Sequence, residues 1–218
     1  MTQLYDILTG PVAWLAFGLF VFGGLFRIIS MYSLAKKKET SCLHYMSFGF
    51  SFRSIFNWLI PFNALGWKAN PALTVATFAF HICLIALAIF TLGHVALWEQ
   101  FFGITLPALP DQVSDIMTMI ALAACAYFVY RRLTNRVVKF VTTGKDWVTL
   151  ILATLPFLTG FLAYHQVAYD LMIILHIASG LAMLALVPFT RLSHMLFALF
   201  TRAYIGSEFG GVRNTRDW

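Results

Sequence analysis

The sequence predicts an all-α integral membrane protein: a bundle of five transmembrane helices, N-terminus outside and C-terminus cytoplasmic, with an interfacial helical segment between the first and second spans. Three observations carry this expectation. Of the 218 residues, 60% are hydrophobic, only 11% are charged and 22 are phenylalanine, a composition unlike that of a water-soluble domain. The apolar residues gather into five runs, each at least about the 17 residues that a helix needs to cross a bilayer. The lysines and arginines cluster between alternate runs, as they do in cytoplasmic loops.

The first span is expected over residues 11–35. The segment ahead of it carries Asp6 but no lysine or arginine. It therefore lacks the basic region of a cleavable leader, and the span is expected to remain as an anchor. Residues 47–67 are rich in phenylalanine but interrupted by Arg53, Asn57, Pro61 and Asn63, which suits a helix or hairpin lying in the inner interface. The second span, 72–98, leads into an outer loop containing Pro107, Pro110 and Asp111, and the third, 114–133, ends in Arg131 and Arg132. The fourth, 147–164, contains Pro156, which membrane helices tolerate as a kink. A short outer turn through His165 and Gln166 precedes the fifth span, 169–200, which contains Pro188. Trp14 and Trp98 then fall at the outer surface and Trp58, Trp67 and Trp147 at the inner one, as an aromatic belt requires. The whole of 1–218 is expected to be one membrane domain, with no room for a soluble catalytic one.

Charge supports the same topology. The net charge is +6 and fourteen of the fifteen basic residues fall in three clusters, 36–68, 131–145 and 191–216. Their one-sided placement reads as orientation in the membrane rather than as a nucleic-acid surface. Cys42, Cys83 and Cys125 lie in separate segments without CxxC spacing, so neither a disulfide framework nor a covalent c-type haem is indicated. They read as small buried apolar residues.

The residues that carry chemistry are histidines. His176 and His194 stand eighteen positions apart in the fifth run, about five whole turns, so a continuous helix presents both on one side, roughly 27 Å apart. His81 and His94 lie in the second run. Intramembrane imidazoles are costly and usually mark ion, proton or cofactor paths, the alternative being buried polar residues bonded to neighbouring helices. Depth pairs them: His81 lies roughly 14 Å and His94 roughly 33 Å from the inner end of the second span, His194 roughly 9 Å and His176 roughly 36 Å from that of the fifth. His81 with His194, and His94 with His176, would thus axially ligate two haem b groups at inner and outer levels. One tension remains. On an ideal helix His81 and His94 point about 140° apart, so a kink or bulge must intervene.

The stretch His176-Ile-Ala-Ser-Gly180 through Pro188-Phe-Thr-Arg-Leu-Ser-His194, with Arg202-Ala-Tyr204 after it, resembles the last span of the respiratory nitrate reductase gamma subunit. Phe80-His81-Ile82 and Gly93-His94 resemble the ligand-bearing second span of the same family. The resemblance implies a five-span, di-haem cytochrome b of the bacterial cytoplasmic membrane. Such a subunit exchanges electrons between membrane quinone, menaquinone among them, and cytoplasmic iron–sulfur subunits. Relatives serve beside other membrane subunits and periplasmic multihaem cytochromes c in the transmembrane redox complexes of sulfate reducers, and this short chain is most similar to those. It departs from the nitrate reductase pattern in the outer loop Glu99 to Ser114, which has no basic residue to meet a quinone oxygen.

Other polar residues take subsidiary places. Arg191, three positions before His194, and Arg27, inside the first span, are candidate contacts for haem propionates, the alternatives being a positive-inside anchor and a snorkelling side chain. Tyr164 and His165 in the outer turn are candidate quinone or proton contacts, and His44 reads as a surface residue. Two other functional classes compete with an electron-transfer subunit. A proton-relay channel or transporter would be expected to carry acids along its spans and to have discontinuous helices, and a haem-free membrane anchor would leave the depth-matched histidines unexplained.

Overall fold

The computed structural model describes residues 2–38, 41 and 43–218, and the described chain is helical without strands. Cys42 lies outside the described residues. Among the described residues, five helices are long and apolar enough to cross a membrane. The first begins earlier than expected: α1 (Thr2–Ile7), a π-helical turn (Leu8–Val12) and α2 (Ala13–Lys38) run on as one rod. The wide turn contains Pro11, whose missing N–H removes one ladder donor. At 1.5 Å per residue the rod exceeds roughly 50 Å, well beyond the hydrocarbon thickness. There follow α3 (Phe48–Leu59), α4 (Leu65–Ala69), α5 (Pro71–Phe90), α6 (Leu92–Phe102), α7 (Asp111–Thr134), α8 (Arg136–Val141), α9 (Gly144–Tyr164), α10 (Tyr169–Leu186) and α11 (His194–Ser207).

Two expected continuous spans are interrupted. The second breaks at Thr91, whose backbone is extended (φ −65°, ψ 138°), so α5 ends at Phe90 and His94 stands on the separate α6. The fifth ends in 3-10 turns at Val187–Phe189 and Arg191–Ser193, with Thr190 extended between them (φ −118°, ψ −174°). Pro188, lacking an N–H and restricting the residue before it, stops the α-ladder there. His176 and His194 therefore lie on different helices, and the count of five turns along one rod does not apply.

The described chain divides into two compact units, residues 75–179 and residues 2–74 with 180–218. In the first, Phe80, Cys83 and Leu87 on α5 pack against Ala121, Ala124 and Cys125 on α7 and Ala153 and Phe157 on α9. The alanines let backbones approach where lipid offers helices no hydrophobic driving force to associate. Phe80 meets Phe128 and Phe157 edge to face at 5.9 and 5.7 Å, contacts worth about 0.5–1.5 kcal/mol each beyond area. Cys83 and Cys125 are buried free thiols, as expected. The ends are closed locally: Asp146 reaches back to the Thr143 N–H at 2.8 Å, Asn135 caps α8, and the Leu109 N–H returns to the Phe90 carbonyl at 2.8 Å.

The second unit is knitted by small residues. A Cβ at Gly23 of α2 would stand 3.0 Å from the Phe189 ring and 3.1 Å from Pro188. On α11, Gly206 faces Ser54 and the Phe50 carbonyl of α3, and Gly210, just beyond α11, faces the Phe50 ring. The Ser51 and Ser207 hydroxyls share a hydrogen bond of 2.9 Å, and Ser51 also donates to the Ala203 carbonyl at 3.1 Å. Helix α3 thus buries its small polar side, while Phe48, Phe52 and Phe56 remain exposed on the other.

Candidate functional site

The first unit brings together one of the two expected histidine pairs. The rings of His94 (α6) and His176 (α10) face each other with centroids 5.8 Å apart and planes inclined by 15°. Each ring is held by main chain. His94 Nδ1 donates to the Leu87 carbonyl at 2.9 Å, and His176 Nδ1 donates to the Pro156 carbonyl of α9 at 2.9 Å. A carbonyl can only accept, so Nδ1 bears a proton in both rings, and in the neutral imidazole Nε2 is then the nitrogen with the free lone pair.

Local sequence explains why these carbonyls are reachable. The break at Thr91 turns α6 so that His94 reaches back seven residues to Leu87, whose carbonyl also receives the Thr91 N–H at 3.3 Å. This break is the interruption that the 140° mismatch demands. Across the hairpin, Gly160 supplies space: a Cβ there would lie 2.8 Å from Cε1 and Nδ1 of His176. Thr159 beside it turns its hydroxyl onto the Leu155 carbonyl at 2.6 Å. Sequence reasoning read Pro156 only as a kink and missed Gly160 altogether. A small residue one turn beyond a proline, opposite a histidine-bearing span, was the available signal.

His81 and His194 show the same tautomer. His81 Nδ1 donates to the Thr77 carbonyl at 2.7 Å, and His194 Nδ1 donates to the Arg191 carbonyl at 2.8 Å. Both bonds are within one turn, ordinary for a helical histidine. Phe80 lies edge-on to His81 at 5.4 Å. His81 belongs to the first unit and His194, the opening residue of α11, to the second, so each is placed within its own unit.

The subsidiary residues fall as follows. Arg27 is exposed on α2 with its guanidinium 5.6 Å from the Phe197 ring centre. Arg191 lies in the 3-10 turn before α11. His165, just after α9, places Nε2 3.3 Å from Asp115 Oδ1 and packs edge-on against Phe161 and Tyr164. His44 is exposed.

Two imidazoles sharing one iron would each have to aim a ring nitrogen, whose lone pair lies in the ring plane, at the metal; the His94 and His176 rings are stacked, with centres 5.8 Å apart and planes 15° from parallel. Among the described residues no three His, Cys, Asp or Glu side chains gather as a closed metal site would require, whereas a porphyrin asks the protein for axial ligands only.

No family model matches the chain, and no solved structure matches it. A protein of Nitratidesulfovibrio vulgaris (strain Hildenborough) is 35% identical over 212 residues, covering 94% of this chain and 93% of its own length. The chain belongs to that protein's family. The relative is named simply "Protein", so membership brings a shared chain length and no stated activity.

Proposed function

We propose that the chain is a di-haem b electron-transfer subunit of a respiratory redox complex in the bacterial cytoplasmic membrane. The observation that carries this reading is the facing pair His94 and His176, each with Nδ1 committed to a carbonyl outside its own helical turn. Ionisable side chains in an apolar bundle mark ion, proton or cofactor paths by default. An Nδ1–H bonded to main chain is the arrangement that orients a metal-ligating imidazole and raises its basicity. His81 and His194 carry the same tautomer and are the ligands of the second, inner group.

In this reading the N-terminus is outside, the basic loops are inside, and α3 and α4 lie in the inner interface. A bound haem pair supplies one-electron carriers at two depths, linking an outer donor to an inner acceptor. The protein's own part is to hold the imidazoles, exclude water with the apolar helices, and place cations for the propionates, with Arg27 and Arg191 as candidates. The His165–Asp115 pair, with Tyr164 beside it, is the candidate proton acceptor for quinol, menaquinol among them, at the outer end. The nitrate reductase gamma-subunit resemblance supports cytoplasmic iron–sulfur partners, neighbouring membrane subunits and a periplasmic multihaem cytochrome c.

A reduced-minus-oxidised optical spectrum of the purified chain, with pigment extraction, tests the reading. Two b-type haems per chain are expected; a colourless protein from haem-replete cells would reject it.

A further inference from the structure

A cavity of about 450 Å³ lies within the second unit. Trp58 at the end of α3, Trp67 on α4, Arg202 on α11 and the tail residues Arg216, Asp217 and Trp218 wall it. It also touches Leu73, in the first turn of the span α5, so it opens where a membrane-crossing helix begins. Its walls are mostly apolar and aromatic, but the charges are unequal. Asp217 is already neutralised: its carboxylate is 2.7 Å from Arg202 Nη2, its side chain is only 2% exposed, and the Ser54 hydroxyl also donates to it. Arg202 also donates to the Asp217 main-chain carbonyl, yet its Nε is buried without a hydrogen-bond partner among the described residues. Arg216 is exposed at the rim and enters no ion pair with them.

We infer that this cavity binds the head group of an anionic phospholipid of the inner leaflet. The guanidinium of Arg202, where it lines the cavity, and the uncompensated guanidinium of Arg216 hold the phosphodiester, and the indoles line the glycerol and the upper acyl carbons. Guanidinium groups match phosphate oxygens in fork geometry. The indole walls suit an amphipath at head-group depth better than a free anion. Trp67 Nε1 is engaged by the Trp58 carbonyl at 3.0 Å, and Trp218 is stacked under the Arg53 guanidinium at 4.8 Å, so these walls are set. The excess positive charge selects against a head group carrying its own cation.

The full chain in detergent, titrated with phosphatidylglycerol or with phosphatidylcholine of the same acyl chains and followed by native mass spectrometry, tests the assignment. One phosphatidylglycerol should be retained per chain in preference to phosphatidylcholine. Arg216→Gln should weaken retention on the order of tenfold, with an unchanged melting temperature in lipid-free detergent showing that the fold is intact. Arg216→Lys should recover part of the binding. Equal retention of the two lipids, or equal retention by wild type and Arg216→Gln, would overturn the proposal. So would displacement of the lipid by millimolar inorganic phosphate, which would make this a simple anion site.

Discussion

The imidazoles of His94 and His176 stand 5.8 Å apart, centre to centre, with planes 15° from parallel. They come from helices far apart in sequence, and their Nδ1 atoms are tied to carbonyls of two further turns, at Leu87 and Pro156. If they clamp one haem, His176→Ala and His94→Ala should each lower the haem content from two to one per chain. Pyridine haemochrome stoichiometry on the purified variants measures this, and two full haems in either variant would dismiss the pair.

Gly160 should matter as much as the ligand it faces. Its substitution by alanine would put a Cβ 2.8 Å from two atoms of the His176 ring, and the Pro156 bond keeps that ring from retreating. Overpacking of this kind costs about 1–3 kcal/mol. The expected result is one haem lost or its low-spin electron paramagnetic resonance signal shifted, the other unaffected. An unaltered spectrum in Gly160→Ala would show that the ring has room to yield.

A quinol reading of the outer turn separates from haem binding. His165 contacts Asp115 at 3.3 Å and ligates nothing in this scheme. His165→Ala and Asp115→Asn should therefore retain two haems while slowing their reduction by a menaquinol analogue at least tenfold. Normal reduction in both variants would move the electron entry point elsewhere.

The joint between α3 and α11 offers a stability test free of any cofactor. A methyl group at Gly206 would collide with Ser54 and stand 2.8 Å from the Phe50 carbonyl, which is backbone and cannot swing aside. Gly206→Ala should destabilise the protein by about 1–3 kcal/mol in denaturant titration. Gly18→Ala, where a Cβ meets nothing within 4 Å, serves as the control and should be neutral or slightly stabilising.

Ala168 closes the turn between α9 and α10 with φ of 46°, a region that glycine enters without penalty and alanine does not. Ala168→Gly should raise stability by about 0.5–1 kcal/mol, glycine's extra unfolded-state entropy offsetting part of the strain relief. A lowered melting temperature would contradict this account of the turn.

The sequence by itself determined that the protein is built from apolar helices, where most of the five spans lie, and that four histidines stand along two of the apolar runs. Those properties follow from composition, run length and residue type, which need no knowledge of neighbours. It also matched His94 with His176, because depth along a span depends mainly on residue count. The direction in which a side chain points depends instead on every peptide before it keeping helical dihedrals, and one extended residue resets it. Thr91 and Thr190 are such residues. Pro188 announced the second break, but nothing comparable marked the first except the mismatch between His81 and His94. Only tertiary structure placed the Leu87 and Pro156 carbonyls on the rings and left Gly160 bare beneath His176. Those are contacts between segments distant along the chain, and their existence rests on how helices pack rather than on any local pattern.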